Sequence, residues 1–304
     1  ENMVIRESTE IGGRELTIEM GKLARQADGA VLITYGETMV LVTAVSDRKP
    51  KDMPFLPLTC EYRENTFAGG RIPGGFFKRE GRPTETEILT SRMTDRPIRP
   101  LFPEGFRHET QVIGNVLSAD PEIVPDVLSI TGASAALYCS EIPWNIPIAA
   151  VRVGMVDGEF IINPTRSQIA ESDLDLILAA RRDAVVMLEA GAKEVSEENI
   201  LDALEFAQPS IEALIDLQQR LYDQLQPTKR EFVPYEIDDS IVATVEERTG
   251  AKIKEALAIK DKIEQRNAMD DIRGEMLDGL SDEESEHSDD YKESFYGLIK
   301  KYTR

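Results

Sequence analysis

Apolar and β-branched residues come in short runs over the first 60 positions, which read as β structure. "AVLITYGETMVLVTAVSD" (30–47) places two such runs around Tyr35-Gly36-Glu37 and predicts a hairpin, with another turn at Asp28-Gly29. The pattern then breaks: Gly69, Gly70, Gly74 and Gly75 mark a segment without regular structure. Helical spacing follows Pro83. Thr84 and Glu87 form a capping-box pattern, Ile88, Leu89 and Met93 share a face, and Pro97, Pro100 and Pro103 predict a stop near Asp95. "HETQVIGNVLSAD" (108–120) alternates as a strand. The small-residue apolar stretch 127–142 suits a helix packed closely on a sheet, despite Gly132, and 148–163 predicts a hairpin turning at Asp157-Gly158. Strand and turn are predicted over 183–196. From Ser196 a long helix carries Ile200, Leu204, Ile211, Leu214, Ile215 and Leu221 at helical spacing.

Strand signals vanish after "QPTKREFVPYEIDDS" (226–240), a stretch with two prolines and mixed charge. Beyond Ser240, charged residues alternate with Ile, Ala and Leu at helical spacing, and "DGLSDEESEHSDD" (278–290) reads as an exposed acidic loop. The expectation is an α+β fold in two parts: an α+β domain over 1–230 and an all-helical domain over 231–304.

Composition narrows the function classes. The chain has 304 residues, is 41% apolar, and holds no run long enough to span a bilayer. The opening "ENMVIRESTE" is polar and does not resemble a signal peptide. Cys60 and Cys139 read as buried free thiols, which fits a reducing, cytoplasmic location. With only His108 and His287 to supplement them, they match no metal-site spacing. The formal net charge of −21 argues against general nucleic-acid affinity, but the charge is uneven. Residues 63–107 carry nine Lys/Arg against six Asp/Glu, a balance of +3 that leaves −24 for the remainder.

"RIPGGFFKREGRP" (71–83) concentrates that basic island. Arg71, Lys78, Arg79 and Arg82 surround Phe76 and Phe77, a combination suited to single-stranded nucleic acid: cations meet phosphates and aromatic rings stack on bases. The alternative is that the two phenylalanines anchor the loop in the core while its charges are solvated. Arg92, Arg96 and Arg99 form a second basic set, open to the alternative of pairing with Glu85, Glu87 or Asp95.

The run "RIPGGFFKREGRPTETEILTSRMTDRPIRPLFPEGF", with "TIEMGKLARQADGAVLITYGETMVLVTAV" and "ITGASAAL", resembles the N-terminal part of the bacterial-type polynucleotide phosphorylase family. The resemblance covers nearly the whole chain. It implies a ribonuclease-PH-like domain followed by the family's helical domain. For the full-length family it implies a phosphate-dependent 3′→5′ exoribonuclease that releases nucleoside diphosphates, works reversibly and degrades mRNA. It also implies a homotrimeric ring around single-stranded RNA, Mg2+ or Mn2+ and inorganic phosphate as cofactors, and partners in an RNA-degradation complex. The family's second ribonuclease-PH-like, KH and OB-fold domains are expected to be missing here. Phe76, Phe77, Lys78 and Arg79 match the family's RNA-contacting loop, with lysine where arginine is more usual. Active domains of this type carry two phosphate-binding arginines, two metal carboxylates and a lysine. Matched to those positions, Arg96 takes one arginine place, with Arg99 a neighbouring candidate for phosphate, while Asp126 takes the other. Asp175 takes one carboxylate place, Ile169 the other, and Ile177 the lysine. The expectation is a degenerate copy that binds no metal or phosphate tightly, contributing RNA-channel contacts and ring assembly. Asp173 and Asp175 then read as solvent-facing acids. A stand-alone non-catalytic RNA-binding module, or guanosine pentaphosphate synthesis, are the rival readings.

Overall fold

The computed structural model of the protein describes residues 4–304; residues 1–3, within the polar opening stretch, lie outside the described residues. The chain divides into two compact units, one holding the chain up to Lys51 with Pro57–Phe232, the other Asp52–Leu56 with Val233–Arg304.

In the first unit, β1 (Ile5–Ile11), β2 (Arg14–Met20), β3 (Gly29–Tyr35) and β4 (Thr38–Pro50) form an antiparallel meander. The sheet is completed by β5 (Leu58–Glu64) and β6 (His108–Ser118). β6 lies antiparallel to β4, and β5 takes the edge parallel to β6, giving the order β1-β2-β3-β4-β6-β5. A second, antiparallel sheet contains β7 (Ala149–Val156), β8 (Glu159–Ile162), β9 (Leu174–Arg181) and β10 (Ala184–Ala192) in the order β10-β9-β7-β8. Four helices accompany the sheets: α1 (Glu85–Ile98), α2 (Asp126–Tyr138), α3 (Arg166–Glu171) and α4 (Glu197–Leu225).

α2 is buried along its whole length and touches β3, β4, β6 and β7, so it joins the two sheets. Its small residues permit this. A Cβ at Gly132 would lie 2.6 Å from Val42 Cγ2. Where α2 meets α4, the fully buried Gln218 is satisfied by a closed set of hydrogen bonds. Ser134 Oγ donates to its Oε1 (2.7 Å), its Nε2 donates to the Ile148 carbonyl (2.8 Å), and the Ile148 N–H donates to Ser134 Oγ (2.9 Å).

The second unit contains α5 (Asp239–Leu257), α6 (Lys262–Asp278), α7 (Asp282–Ser285) and α8 (Ser288–Thr303). Val245, Ile253, Met276, Phe295 and Leu298 form its core.

Three local expectations are corrected. α1 continues through Pro97 to Ile98 instead of stopping near Asp95. Pro97 falls in the last turn, where it forgoes one backbone hydrogen bond, and both it and Ile98 are buried. α2 ends at Tyr138, short of 142, because the Lys229 ammonium donates to the carbonyls of Leu137 (3.1 Å), Tyr138 (2.8 Å) and Ser140 (2.9 Å) in place of a further turn. The acidic stretch 278–290 is not a loop but a sequence of helix ends. Asp282, Glu283, Glu284, Asp289 and Asp290 sit in the first turns of α7 and α8, where the helix dipole favours them, and Asp290 is buried and accepts the Tyr235 hydroxyl.

Two predictions follow from this packing. Helix propensity alone makes Gly132→Ala stabilising by about 1 kcal/mol, but the contact with Val42 reverses the sign. Urea unfolding is expected to show a loss of about 1–3 kcal/mol. In the second unit, Glu284 accepts the Ser281 N–H and pairs with Arg248, which holds its carboxyl down at about 2 from an ordinary 4.5. A depressed folded-state pKa stabilises above the unfolded value and is lost as pH falls through the folded one. Between pH 4.5 and about 2, Glu284→Gln should therefore flatten the fall in thermal midpoint; an unchanged slope would sink the assignment.

Candidate nucleic-acid interface

The basic loop is presented by an edge strand and the helix that closes it. β5 has no strand on its outer side, and α1 supplies side chains instead. Ser91 Oγ accepts the Tyr62 N–H (2.9 Å), Glu87 Oε1 accepts the Glu64 N–H (2.9 Å), and Arg99 Nη2 donates to the Leu58 carbonyl (2.9 Å). Glu87 Oε2 also accepts the Thr84 N–H (2.6 Å), completing the capping box. Burial works against this carboxylate, yet the Thr84 and Glu64 N–H groups and Arg63, 3.9 Å away, hold its pKa below the ordinary value.

Between β5 and α1 the chain makes a 3-10 turn, Thr66–Gly69, and then the loop. Phe76 is 93% and Phe77 79% exposed, their rings edge to face with centroids 5.5 Å apart. The core-anchor alternative is thereby set aside. Left-handed backbone at Gly75 (φ +78°) and Lys78 (φ +50°) brackets the pair and puts both rings at the tip. Arg71, Lys78, Arg79 and Arg82 are all exposed, and none makes an ion pair among the described residues. Behind the tip, Glu80 binds Thr66 and the Arg63 guanidinium donates to the Gly81 carbonyl (3.2 Å).

The second basic set lines a groove of about 840 Å³ bounded by α1, β5 and β10, with Cys60 and Met93 among its lining residues. Arg96 is bound to Glu189 (2.7 Å), and Arg99 makes a two-pronged pair with Asp95 (2.9 and 2.7 Å). Both phosphate candidates therefore already hold carboxylates, while Arg92 makes no ion pair. Glu85 and Glu87 are not their partners. Burial pushes the Cys60 thiol far up and the Cys139 thiol up to about 12, so neither supplies a thiolate.

Three of the positions matched to a catalytic centre, Asp126, Asp175 and Ile177, meet at an internal charge cluster around Arg152, while Arg96 stays in the groove. Asp126, at the start of α2, is buried, and its Oδ2 lies 2.9 Å from Arg152 Nη2 in β7. Arg152 Nε lies 3.2 Å from Asp175 Oδ1 in β9, close enough for charge pairing but not aligned as a hydrogen bond. Burial pushes the Asp126 carboxyl up, opposed by Arg152 and by the Val127 N–H. Asp175 is thus not a freely solvated acid, whereas Asp173 is exposed. Ile177 faces Arg152 across the β7–β9 ladder and is buried; Ile169 is half-buried in α3. These residues do not fit a divalent cation, which needs converging oxygens: Asp175 is paired with a guanidinium, and two of the matched positions are hydrocarbon. Among the described residues, no group of three His, Cys, Asp or Glu could hold a metal, and no helix is long and apolar enough to cross a membrane.

Arg152 and Glu80 were missed by the sequence reading. Arg152 had a signal: it is the one charge in the apolar run "IAAVRVGMV" (148–156), where a buried ion should bring its counter-ion. Glu80 had one as well, being the single acid in residues 71–82.

Comparison with known proteins places this geometry. Models of the 3′ exoribonuclease family match residues 12–143 as domain 1 and residues 147–209 as domain 2, together the larger part of the chain. The chain belongs to the 3′ exoribonuclease family. It is 50% identical to a polyribonucleotide nucleotidyltransferase of Sorangium cellulosum over 92% of its own length and 37% of that protein's. It is 46% identical to one of Staphylococcus aureus over 96% of its length and 42% of that protein's. The chain thus spans about two fifths of the curated relatives it matches. Rice Rrp46 shares the fold at a TM-score of 0.54 and 16% identity, covering 72% of this chain and 95% of that one. The matched residues take in β2 to β10 and α2.

The charge cluster yields a prediction. Arg152→Met leaves the buried Asp126 without its cation and should cost about 3–5 kcal/mol in urea unfolding. A loss below about 1 kcal/mol, the usual worth of an exposed pair, would mean that Arg152 does not hold the cluster.

Proposed function

We propose that this chain is the RNA-gripping, non-catalytic part of a phosphate-dependent 3′→5′ exoribonuclease of the polyribonucleotide nucleotidyltransferase type. In this reading the whole enzyme releases nucleoside diphosphates from single-stranded RNA with inorganic phosphate and Mg2+ or Mn2+, as a cytoplasmic homotrimer. The present chain contributes contacts to the RNA channel and surfaces for ring assembly.

One observation carries the reading: two adjacent phenylalanines stand almost fully in water among four unpaired cations. Leaving two large aromatic faces in water has no structural gain. Stacking on bases restores it, at about 1–3 kcal/mol per base, without selecting sequence. The cations Arg71, Lys78, Arg79 and Arg82 would meet phosphates at the same time. Arg96 and Arg99 are weaker candidates, since a phosphate reaching them must displace Glu189 or Asp95. Absence of chemistry in this chain is supported by Arg152. It places a fixed cation between Asp126 and Asp175, where a metal would need oxygen ligands and phosphate a vacant cation.

The test is a paired assay on the 304-residue protein. A fluorescent oligoadenylate should bind, more weakly as salt rises, and Phe77→Ala or Arg79→Ala should each lower affinity by roughly tenfold. No ADP should appear with phosphate and Mg2+ present. Sustained ADP release would overturn the non-catalytic assignment; binding indifferent to both substitutions would overturn the loop's role.

A further inference from the structure

The basic loop contains one acid, and its position is not explained by RNA. Among residues 71–82, Glu80 alone is negative, and it sits directly beside Arg79. A carboxylate there repels phosphate and weakens the local positive field. Its geometry gives it a different task. Glu80 Oε1 accepts the Thr66 N–H at 2.8 Å, and Oε2 accepts the Thr66 hydroxyl at 2.9 Å. Thr66 opens the 3-10 turn whose free N–H groups need acceptors, and no side chain of its own N-cap, Asn65, supplies one.

The turn is itself fastened to the sheet, since the Ala119 N–H donates to the Ala68 carbonyl at 3.1 Å, just beyond β6. One residue past Glu80, the Gly81 carbonyl accepts Arg63 of β5. The outgoing and returning arms of the loop are therefore joined at adjacent points, while the tip between Gly74 and Arg79 has no comparable tether. Closing the base of a loop removes most of the conformations its tip could sample.

On the reading that this loop grips RNA, we infer that Glu80 is a positioning residue: its two-pronged bond to Thr66 holds the loop base shut and so aims Phe76, Phe77, Lys78 and Arg79. The charge is tolerated for the sake of the tether. Two effects of one side chain thus have opposite signs, and substitutions separate them. Glu80→Gln removes the charge but keeps an acceptor for the Thr66 N–H and an amide toward its hydroxyl. Glu80→Ala removes charge and tether together. Thr66→Val deletes one of the two hydrogen bonds without changing any charge.

The experiment measures binding of a fluorescent oligoadenylate across a salt series, alongside hydrogen exchange of the 66–70 amides without RNA. Glu80→Gln is expected to bind at least as tightly as wild type. Glu80→Ala should bind about tenfold more weakly although the loop has become more basic, and Thr66→Val should fall between. The salt slope should shrink in Glu80→Ala by about 0.7 for each phosphate contact released, with the thermal midpoint unmoved. Exchange at Thr66 should quicken in Glu80→Ala and Thr66→Val only. Tighter or unchanged binding by Glu80→Ala, with wild-type affinity still sensitive to Phe77→Ala, would overturn the positioning role alone. Binding insensitive to Phe77→Ala would remove the RNA reading and this inference with it, whatever the exchange data say about the tether.

Discussion

Presentation of the basic loop depends on the carboxylate of Glu87. An edge strand exposes N–H groups that must find acceptors, and a helix start exposes several more. Glu87 serves both from one buried site, accepting Glu64 at the end of β5 and Thr84 at the start of α1. The two ends of the 65–83 excursion are thereby brought to one side chain. That junction fixes the distance between the point where the loop leaves the sheet and the point where it enters the helix, and the Ser91–Tyr62 and Glu80–Thr66 bonds reinforce it. The helix that carries Arg92, Arg96 and Arg99 is held against β5 by Glu87 together with Ser91 and Arg99, so both basic sets share that attachment.

Much of this was legible in the residues. The capping box of Thr84 and Glu87, the hairpins at Tyr35-Gly36 and Asp157-Gly158, and the long helix from Ser196 follow from local rules and appear where those rules put them. What could not be read depended on partners distant in sequence. Nothing near Arg152 names Asp126, 26 residues earlier, as its counter-ion. The end of α2 is set by Lys229, about 90 residues away. The exposure of Phe76 and Phe77 was likewise open, because adjacent aromatics on a glycine-rich segment fit a packed anchor as well as a free tip. Only the absence of any packing surface decides it.

The internal charge cluster balances its own electrostatics across the two sheets and the start of α2. A buried carboxylate such as Asp126, left unpaired, would be strongly destabilising. Arg152 supplies the counter-charge from the neighbouring sheet and reaches Asp175 as well. Ile177 then lies across the ladder from Arg152, where a second cation would have repelled it. Asp126, Arg152, Asp175 and Ile177 form one consistent electrostatic arrangement.

On the proposed reading, a chain of net charge −21 meets a polyanion through an uneven placement of its charges. Charge screened by salt acts over roughly 10 Å, so local geometry outweighs the total. The interior arginine is spent on fold, and Arg96 and Arg99 are held by carboxylates at the groove. The four cations of the loop are left without protein partners, on a tip that carries two aromatic faces. On the reading that this tip grips RNA, the negative balance of the remaining residues disfavours nucleic acid elsewhere, and binding concentrates where stacking and phosphate contact coincide.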